Sequence, residues 1–484
     1  MESSRNSVNM ALISAIVAVA TIGGLLFGYD SGAVNGTEDG LKNAFQLNDF
    51  WFGLTVGSLL IGCAAGAFFA GRLADVFGRR RVMLIAATLF VVGALVQGFI
   101  QIHPIFVLAR FAGGMAVGAA SVLSPLYISE VAPAKIRGRL TTVQQVMIIT
   151  GLTAAFVVNY FLAQAAGNSL GIVGGLPAWR WMYLAQAVPA VVFLVSLLFI
   201  PESPRFLVAK GRDEEAHAVL TRLFGPTEAT RKVADIRRTF SDDHRPRLSD
   251  VTQKGTIFRP IVWAGILIAT FQQFVGINVI FYYGSTLWKL AGVSEEVALE
   301  RNILSGVVSI AAVFAALLLI DRIGRKPLLM IGSVGMAISL GAMTYIFSQG
   351  ALDASGNLSL SPDLGLGAVV AANIYVIFFN FSWGPVMWVM LGEMFPNQIR
   401  GSALAVAGLA QWAANYLVVQ TFPAMASGLG LSTTYAFYTV GAAVSFFLVK
   451  RFINETKGKE LEEMEGWDAP SAAGDAIAPK TRID

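Results

Sequence analysis

The sequence predicts an all-α membrane protein in which twelve transmembrane helices form two six-helix halves joined by a cytoplasmic helical linker. Three observations lead to this prediction. Of the 484 residues, 55% are apolar and only 14% are charged, whereas a soluble domain carries about 25% charged residues. The apolar residues come in long blocks, and charged motifs of the first half of the chain recur in the second. The composition therefore argues against a water-soluble enzyme.

Twelve apolar stretches are long enough to cross a bilayer, which takes about 20 residues in helical form. They lie at residues 10–32, 51–71, 82–101, 105–128, 141–164, 181–200, 260–288, 303–320, 328–347, 366–391, 402–424 and 432–450. The segment between the sixth and seventh stretches is polar, charged and typical of short amphipathic helices. The expected divisions are an N-terminal bundle at 1–200, a linker at 201–259, a C-terminal bundle at 260–453 and a cytoplasmic tail at 454–484.

The basic residues are distributed very unevenly about these stretches. Of the 35 Lys and Arg residues, 30 fall on the side of the termini and the linker, four fall on the opposite side, and Arg110 lies inside the fourth stretch. By the positive-inside rule, both termini and the linker face the cytoplasm. The basic pI of 9.1 is thus explained by membrane topology, and no nucleic-acid partner is expected.

Three charged motifs occur twice, in the same order and each time in a cytoplasmic loop. The pairs begin at Asp75 and Asp321, at Glu130 and Glu393, and at Pro201 and Asn454. The offset is 246 residues for the first pair and 263 for the second, so the chain reads as two homologous six-helix halves. Two halves related by an axis normal to the membrane are typical of transporters that work by rocking.

Further motifs make a family resemblance specific. They are Gln272-Gln273-Phe-Val-Gly276-Ile-Asn278-Val-Ile-Phe-Tyr282-Tyr283, Trp383-Gly384-Pro385-Val-Met-Trp388 and Gln411-Trp412-Ala-Ala-Asn415. With the doubled motifs, they make residues 10–463 resemble the sugar porter family of the major facilitator superfamily. The chain is most similar to bacterial proton-coupled xylose and hexose symporters, and less similar to animal glucose facilitators. The resemblance implies the major facilitator fold and a multi-pass protein of the cell inner membrane.

Amide side chains inside the apolar stretches are candidates for a sugar site. An unpaired amide in hydrocarbon costs a few kcal/mol, and Gln and Asn match sugar hydroxyls because each carries both donors and acceptors. The alternative is that these amides bond neighbouring helices. The candidates are Gln145, Gln272, Gln273, Asn278, Gln411 and Asn415, with Trp388 and Trp412 offering flat faces to a pyranose ring.

The family resemblance implies sugar contacts for most of these residues and places Phe27 and Tyr282 beside them. One departure lies in the eighth stretch, where the family often has Asn and this chain has Ser309. On an ideal helix, Gln273 lies about 100° from Gln272 and Asn278 lies far from both. One straight helix face therefore cannot hold all three amides.

Gly276 and the Gly384-Pro385 pair are candidate gating hinges. Pro lacks the backbone N–H and clashes with the preceding turn, so it interrupts a helix. We expect the half-helices to tilt over the sugar at these points. The alternative is close helix packing at the glycines and a static kink at the proline.

Two ionisable residues lie well inside the apolar stretches, Asp30 and Arg110. The direction of their helices places both toward the outer side, at similar depth, and such residues mark function by default. Similar symporters have Asp at the position of Asp30, where facilitators tend to have Asn. We expect Asp30 and Arg110 to couple protons to transport; the alternative is a static ion pair.

Charged residues of the cytoplasmic loops are expected to form a latch. The two sets are Asp75, Arg79, Arg80, Glu130, Arg137 and Glu202 in the first half, and Asp321, Arg325, Lys326, Glu393, Arg400 and Glu455 in the second. We predict that opposite charges of the two halves pair when the inner side is closed, with the linker as a helical cap. The alternative is topology signals and helix capping.

The leading hypothesis is a proton-coupled symporter for a neutral monosaccharide of the D-xylose or D-glucose class. Alternatives are an uncoupled sugar uniporter, a myo-inositol symporter or a sugar sensor. An enzyme is not expected, because His103, His217 and His244 form no catalytic pattern and no phosphate-binding Gly-rich loop is present. We expect no cofactor or metal. The partners are the sugar, the proton and the lipid bilayer, and the default is a functional monomer.

Overall fold

The computed structural model describes residues 8–133, 137–242, 251–253, 257–290, 293–352, 358–396 and 399–457. Twelve helices in these ranges are long and apolar enough to cross a membrane, which confirms the predicted fold class. Spans 1 to 12 are Met10–Val34, Asp49–Phe77, Arg79–Phe99, His103–Val131, Arg137–Ala166, Ala178–Leu197, Pro260–Lys289, Glu295–Ile323, Arg325–Ser348, Pro362–Met394, Arg400–Gly428 and Gly430–Phe452.

Several spans extend beyond the apolar blocks, because polar residues at their ends continue or cap the helix. Span 2 starts where the Asn48 side chain accepts the Trp51 N–H at 2.9 Å, a typical N-cap. It ends at Gly78, whose φ of 99° stops the helix before span 3 begins. The charged ends thus belong to the spans and carry their side chains to the membrane surfaces.

The remaining described elements are short. A helix, Glu38–Phe45, follows span 1, and three helices make up the described linker: Pro204–Ala209, Asp213–Phe224 and Pro226–Asp242. Two hairpins pair Ile172–Val173 with Leu176–Pro177 and Ala351–Leu352 with Leu358–Ser359, both antiparallel. They join spans 5 and 6 and spans 9 and 10.

Three of the described spans are interrupted. Span 6 consists of the helices Ala178–Ala185 and Ala187–Leu197. Span 7 consists of the helices Pro260–Phe274 and Ile277–Leu290, separated by a turn at Gly276 with a φ of 84°. Span 10 runs from Pro362–Phe378 through a π-helical turn, Phe379–Trp383, into Gly384–Met394. π-helical turns inside α-helices frequently mark functional sites.

The two halves repeat the same helix pairings. Span 1 packs on span 5, span 2 on span 4 and span 3 on span 6; in the same way span 7 packs on span 11, span 8 on span 10 and span 9 on span 12. Between the halves, span 2 meets span 11 and span 5 meets span 8. The internal repeat of the sequence is therefore also a repeat of packing.

We call the side of the molecule that holds residues 8 and 457 and the linker helices the terminal side, and the opposite side the distal side. On the terminal side, the Asn9 N–H donates to the Leu223 carbonyl of the linker at 2.9 Å. Hydrogen bonds between the two halves gather toward the distal side, as described below. The two halves thus meet at their distal ends.

Candidate functional site

The break in span 7 brings together amides that a straight helix would separate. The backbone at Gly276 has a φ of 84°, and a Cβ there would lie 2.7 Å from the Tyr438 ring, so only glycine fits without strain. The break turns Asn278 back toward Gln273, and the Asn278 Nδ2 donates to the Gln273 Oε1 at 2.6 Å. The geometric conflict in the sequence analysis is resolved by this turn.

Four amides form a continuous hydrogen-bonded chain, which we call the amide cluster: Gln272, Gln273, Asn278 and Asn415. The Gln273 Nε2 donates to the Gln272 Oε1 at 3.0 Å, and the Asn278 Nδ2 also donates to the Asn415 Oδ1 at 2.8 Å. The Gln272 Nε2 donates to the Trp383 carbonyl at 3.1 Å, at the end of the π-helical turn. The amide cluster therefore ties span 7 to the break in span 10 and to span 11.

Aromatic and polar groups of both halves lie beside the amide cluster. The edge of the Phe27 ring meets Trp412, with 5.7 Å between ring centroids. The Tyr282 hydroxyl lies 3.0 Å from the Ser31 Oγ of the other half. Gln411 is buried, and its Oε1 has no hydrogen-bond partner among the residues described. An acceptor without a donor is suited to a ligand hydroxyl.

Two further predicted sugar contacts are Gln145 and Trp388. Gln145 is half-buried in span 5. Trp388 is 41% exposed, whereas Trp412 is 4% exposed, so this conformation does not enclose the Trp388 ring with the amide cluster. The tryptophan that is enclosed at the span 10 break is Trp383, whose Nε1–H donates to the Leu329 carbonyl at 3.0 Å.

The sequence analysis missed one amide, Asn380, which bonds to Ser309, the residue that stands where the family often has Asn. The Asn380 Nδ2 donates to the Ser309 Oγ at 3.1 Å and to the Val376 carbonyl at 3.0 Å. Both Asn380 and Ser309 are fully buried. Asn380 lies outside the motifs that carried the resemblance, so the only signal was an amide within the apolar block of span 10.

The structure places Asp30 beside Arg110 in the interior of the first half. The Asp30 Oδ2 lies 3.8 Å from the Arg110 Nη2, and both side chains are buried. The guanidinium is held on its other edges, because Nε donates to the Thr55 carbonyl at 3.1 Å and Nη1 to the Gln97 Oε1 at 3.3 Å. The Asp30 Oδ2 has no hydrogen-bond partner among the described residues. The guanidinium therefore has hydrogen bonds that do not depend on Asp30.

Span 1 connects this ion pair to the amide cluster. Phe27 and Ser31, one helical turn apart, contact Trp412 and Tyr282 of the second half. Asp30 lies between them in sequence and approaches Arg110 of the first half. A change in the charge of Asp30 would therefore act on the helix that carries both contacts to the second half.

The charged residues of the first predicted latch set bond to one another within the first half. The Arg79 guanidinium makes two bonds to the Glu130 carboxylate, at 3.2 and 3.1 Å, and one to Asp75 at 3.0 Å. The Glu202 Oε1 accepts the backbone N–H groups of Arg79 and Arg80 at 2.9 and 3.2 Å. Glu202 thus caps the start of span 3.

The second predicted latch set repeats this arrangement in the second half. The Arg325 guanidinium makes two bonds to Glu393, at 2.9 and 2.7 Å, and contacts Asp321 at 3.0 Å. The Glu455 carboxylate accepts the backbone N–H groups of Arg325 and Lys326, both at 3.0 Å. The duplicated motifs therefore build duplicated networks of contacts.

These contacts differ from the predicted latch, in which charges of one half pair with charges of the other. Gly78 and Gly324, with φ of 99° and 106°, turn each chain so that the arginine that follows folds back onto its own half. Arg400 also bonds locally, from its Nε to the Phe395 carbonyl at 3.1 Å. The side chain of Arg137 lies outside the described residues. In this conformation the described bonds of the arginines hold each half together.

Polar contacts between the halves lie at the distal ends of spans 1, 7 and 8, and the sequence analysis did not identify them. The Asn35 Oδ1 accepts the Ser285 N–H at 2.9 Å and the Asn302 Nδ2 at 2.8 Å, and the Asn35 Nδ2 donates to the Phe281 carbonyl at 3.2 Å. The Asn35 amide is fully buried. With Glu38 and Asp39, described below, these residues form what we call the distal closure.

Comparisons with known proteins agree with this geometry. The model of a family described as "Sugar (and other) transporter" matches residues 16–466. A glucose transport protein of Synechocystis sp. is 43% identical over 463 residues, covering 95% of this chain and 98% of that protein. A D-xylose-proton symporter of Escherichia coli is 37% identical over 494 residues, covering 95% and 96%.

A solved structure gives the same fold. The xylose transporter XylE from E. coli, in an inward open conformation, superposes with a TM-score of 0.79 at 36% identity, covering 94% of this chain and 99% of that one. The superposition covers both six-helix halves of the two chains.

Proposed function

Because the chain belongs to the sugar transporter family, we propose that it is a proton-coupled symporter that takes up a neutral monosaccharide of the D-xylose or D-glucose class by rocking alternating access. The observation that carries the proposal is the position of span 1. One side of this helix approaches Arg110 through Asp30, and residues one turn apart contact Trp412 and Tyr282. A proton site and a sugar site thus share one rigid element.

The chemistry of the amide cluster favours an uncharged ligand rich in hydroxyl groups. The described side chains of the cluster are neutral amides, and each carries donors and acceptors that a hydroxyl can satisfy. Phe27 and Trp412 add apolar surface for the C–H face of a sugar ring. Bound sugar would bridge spans 7 and 11 to span 1, and so draw the halves together.

Proton coupling follows from the ion pair. A charged Asp30 is attracted to Arg110, and protonation removes that attraction without moving the guanidinium, which stays bonded to Thr55 and Gln97. Span 1 is then free to change its position relative to span 4. Transport requires that two conformations have similar free energy, so a change in one buried charge is enough to shift their populations.

The distribution of basic residues supports an orientation with the terminal side in the cytoplasm. The distal side is then the outer side of the cell inner membrane, and the described conformation faces inward. The proposed transporter acts as a monomer, because one chain contains both halves and the whole cluster between them.

Sugar-evoked proton movement tests this proposal. Proteoliposomes in weakly buffered medium, with no imposed gradient, should make the outer medium more alkaline when D-xylose or D-glucose is added. The alkalinisation should be absent with a charged sugar acid and with liposomes lacking protein. Sugar entry without any change in outer pH would contradict coupling.

A uniporter is the second candidate, and one observation favours it. The contact between Asp30 and Arg110 is a direct ion pair in a buried site. A buried ion pair can have a purely structural role, here that of holding span 1 to span 4. A uniporter would equilibrate sugar without moving protons, so the same experiment separates the two candidates.

A further inference from the structure

The distal closure contains a buried acid that the proposed mechanism does not use. Glu38 is the first residue of the helix Glu38–Phe45, and it is only 1% exposed. Its Oε1 accepts the hydroxyl of Ser285, from the second half, at 2.7 Å. Its Oε2 accepts the backbone N–H of Gly36 at 2.7 Å. The carboxyl group of Glu38 is therefore enclosed at the junction of the two halves.

The groups around Glu38 come from both halves. On its own helix, Asp39 bonds the Lys289 Nζ of span 7 at 2.6 Å, a second contact across the closure. Lys289 also attracts the Glu38 carboxylate, and Asp39 repels it. The hydroxyl groups of Tyr183 in span 6 and Tyr283 in span 7 lie within electrostatic range of the same carboxylate. Among the described residues, one cation, one further acid and two phenols thus surround the Glu38 side chain.

Ser285 is held in place to meet Glu38. Its backbone N–H donates to the Asn35 Oδ1, while its hydroxyl donates to Glu38. Separation of the halves on the distal side would break both bonds and expose the carboxyl group to water. The environment of Glu38 therefore depends on whether the closure is formed.

The burial of Glu38 determines whether the closed or the open form binds a proton more tightly. Desolvation raises the pKa of the Glu38 carboxyl above its usual range in the closed form, although Lys289 and the Ser285 hydroxyl oppose the increase. In the open form the carboxyl would face water and regain a pKa of about 4.3. A group that binds protons more tightly in one form shifts the equilibrium toward that form as pH falls. Acid therefore favours closure.

We propose that Glu38 is a second proton-binding site, separate from Asp30, which takes up a proton when the distal side closes and releases it when the distal side opens. This inference rests on the proposed function, because the distal side is the outer side only in that orientation. In a proton symporter this effect of pH would promote uptake. An acidic exterior would favour closure of the outer side, which is the step that follows loading of sugar and proton.

A pH titration of the distal closure without sugar tests this inference independently of transport. Spin labels are attached at Asn43→Cys and Leu429→Cys, exposed positions at the distal ends of the first and second halves. Cys63 is fully buried, so the two introduced thiols are the accessible ones. Electron–electron distance distributions in lipid nanodiscs are recorded from pH 4 to pH 9, for the full-length protein.

The label pair should shift from a short to a long separation as the pH rises, with a midpoint above about 4.3. The comparison is made in an Asp30→Asn background, so that the other proposed proton site cannot titrate. The transition should persist in Asp30→Asn and be lost when Glu38→Gln is added, whereas adding Glu296→Gln, which removes an exposed distal carboxyl, should keep it. A transition that is absent from Asp30→Asn, or one that survives in the Asp30→Asn, Glu38→Gln double variant, would overturn the inference, because the responding group would then be another one.

A second variant serves if Glu38→Gln does not fold. Ser285→Ala keeps the carboxyl group but removes one hydrogen bond to its charged form, so the midpoint should move up by about one pH unit. An unchanged midpoint would overturn the inference. Failure of proton-coupled transport would instead appear in the alkalinisation experiment, in which the spin labels play no part.

Discussion

Single side chains define what the candidate sugar site can recognise. The amide cluster satisfies most of its own donors and acceptors, but the buried Gln411 Oε1 has no hydrogen-bond partner among the described residues. A buried acceptor without a donor costs about 1–3 kcal/mol, and a sugar hydroxyl would remove that cost. Gln411 is therefore the amide whose loss should affect binding with the least effect on the fold.

The variant Gln411→Ala should lower the affinity for the transported sugar by about 3- to 10-fold, the effect of one hydrogen bond. Its thermal midpoint should remain close to that of the native protein. Titration calorimetry in detergent with D-xylose and D-glucose measures the affinity. Gln164→Ala removes an exposed amide of span 5 and serves as the control. Equal affinities for Gln411→Ala and the native protein would remove Gln411 from the site.

The candidate site is only partly predictable from residue types. Gln272, Gln273 and Asn415 stand out because amides are rare in apolar blocks, and Asp30 and Arg110 stand out because charges are. Glu38 and Asn35 do not, because they follow the first apolar block where polar residues are ordinary. Their burial depends on the second half covering them, and a local sequence pattern does not contain that information.

At the level of helices and turns, the break in span 7 decides which residues meet. Gly276→Ala should lower the thermal midpoint, since a left-handed backbone costs a non-glycine residue about 1–2 kcal/mol and the new Cβ would crowd Tyr438. Gly408→Ala is the matched control, because no atom lies within 4 Å of its added Cβ and alanine favours the helix. Similar midpoints for the two variants would contradict a required turn at Gly276.

The duplicated arginine networks allow a comparison inside one molecule. The Glu130 side chain is 3% exposed where it pairs with Arg79, whereas Glu393 is 32% exposed where it pairs with Arg325. Breaking a buried pair costs about 3–5 kcal/mol, and solvent screening makes a partly exposed pair such as Arg325–Glu393 contribute less. Glu130→Gln should therefore lower the thermal midpoint more than Glu393→Gln. Equal losses, or the reverse order, would contradict the role of burial.

The helical elements are more predictable than their contacts. The apolar blocks located the twelve described spans. The helices extend beyond these blocks to charged ends such as Asp49 and Arg325, because backbone hydrogen bonding continues through the polar residues that flank each block. The position of the break in span 7 follows from Gly276, and Pro385 lies just after the break in span 10. No sequence signal indicates the π-helical turn before Gly384. The same holds for the hydrogen bond from the Trp383 Nε1–H to the Leu329 carbonyl.

For the molecule as a whole, the internal repeat, the fold class and the family are confirmed by the paired packing of spans and by the comparisons. The predicted pairing of latch charges between the halves is absent from the bonds described in this conformation. A sequence specifies every conformation in the transport cycle at once, whereas each structure holds one. Whether Arg79 and Arg325 exchange partners when the terminal side closes stays a prediction for the outward-facing conformation.

Accumulation of sugar against its gradient tests the central claim most directly. Proteoliposomes containing the native protein or Asp30→Asn are given radiolabelled D-xylose or D-glucose, with and without an inward proton gradient, and sugar exchange at equal concentrations is measured as a control for folding. The native protein should accumulate sugar only with the gradient, and Asp30→Asn should exchange sugar without accumulating it. If both proteins merely equilibrate sugar and neither responds to the gradient, proton coupling through Asp30 is contradicted and the chain is a facilitator.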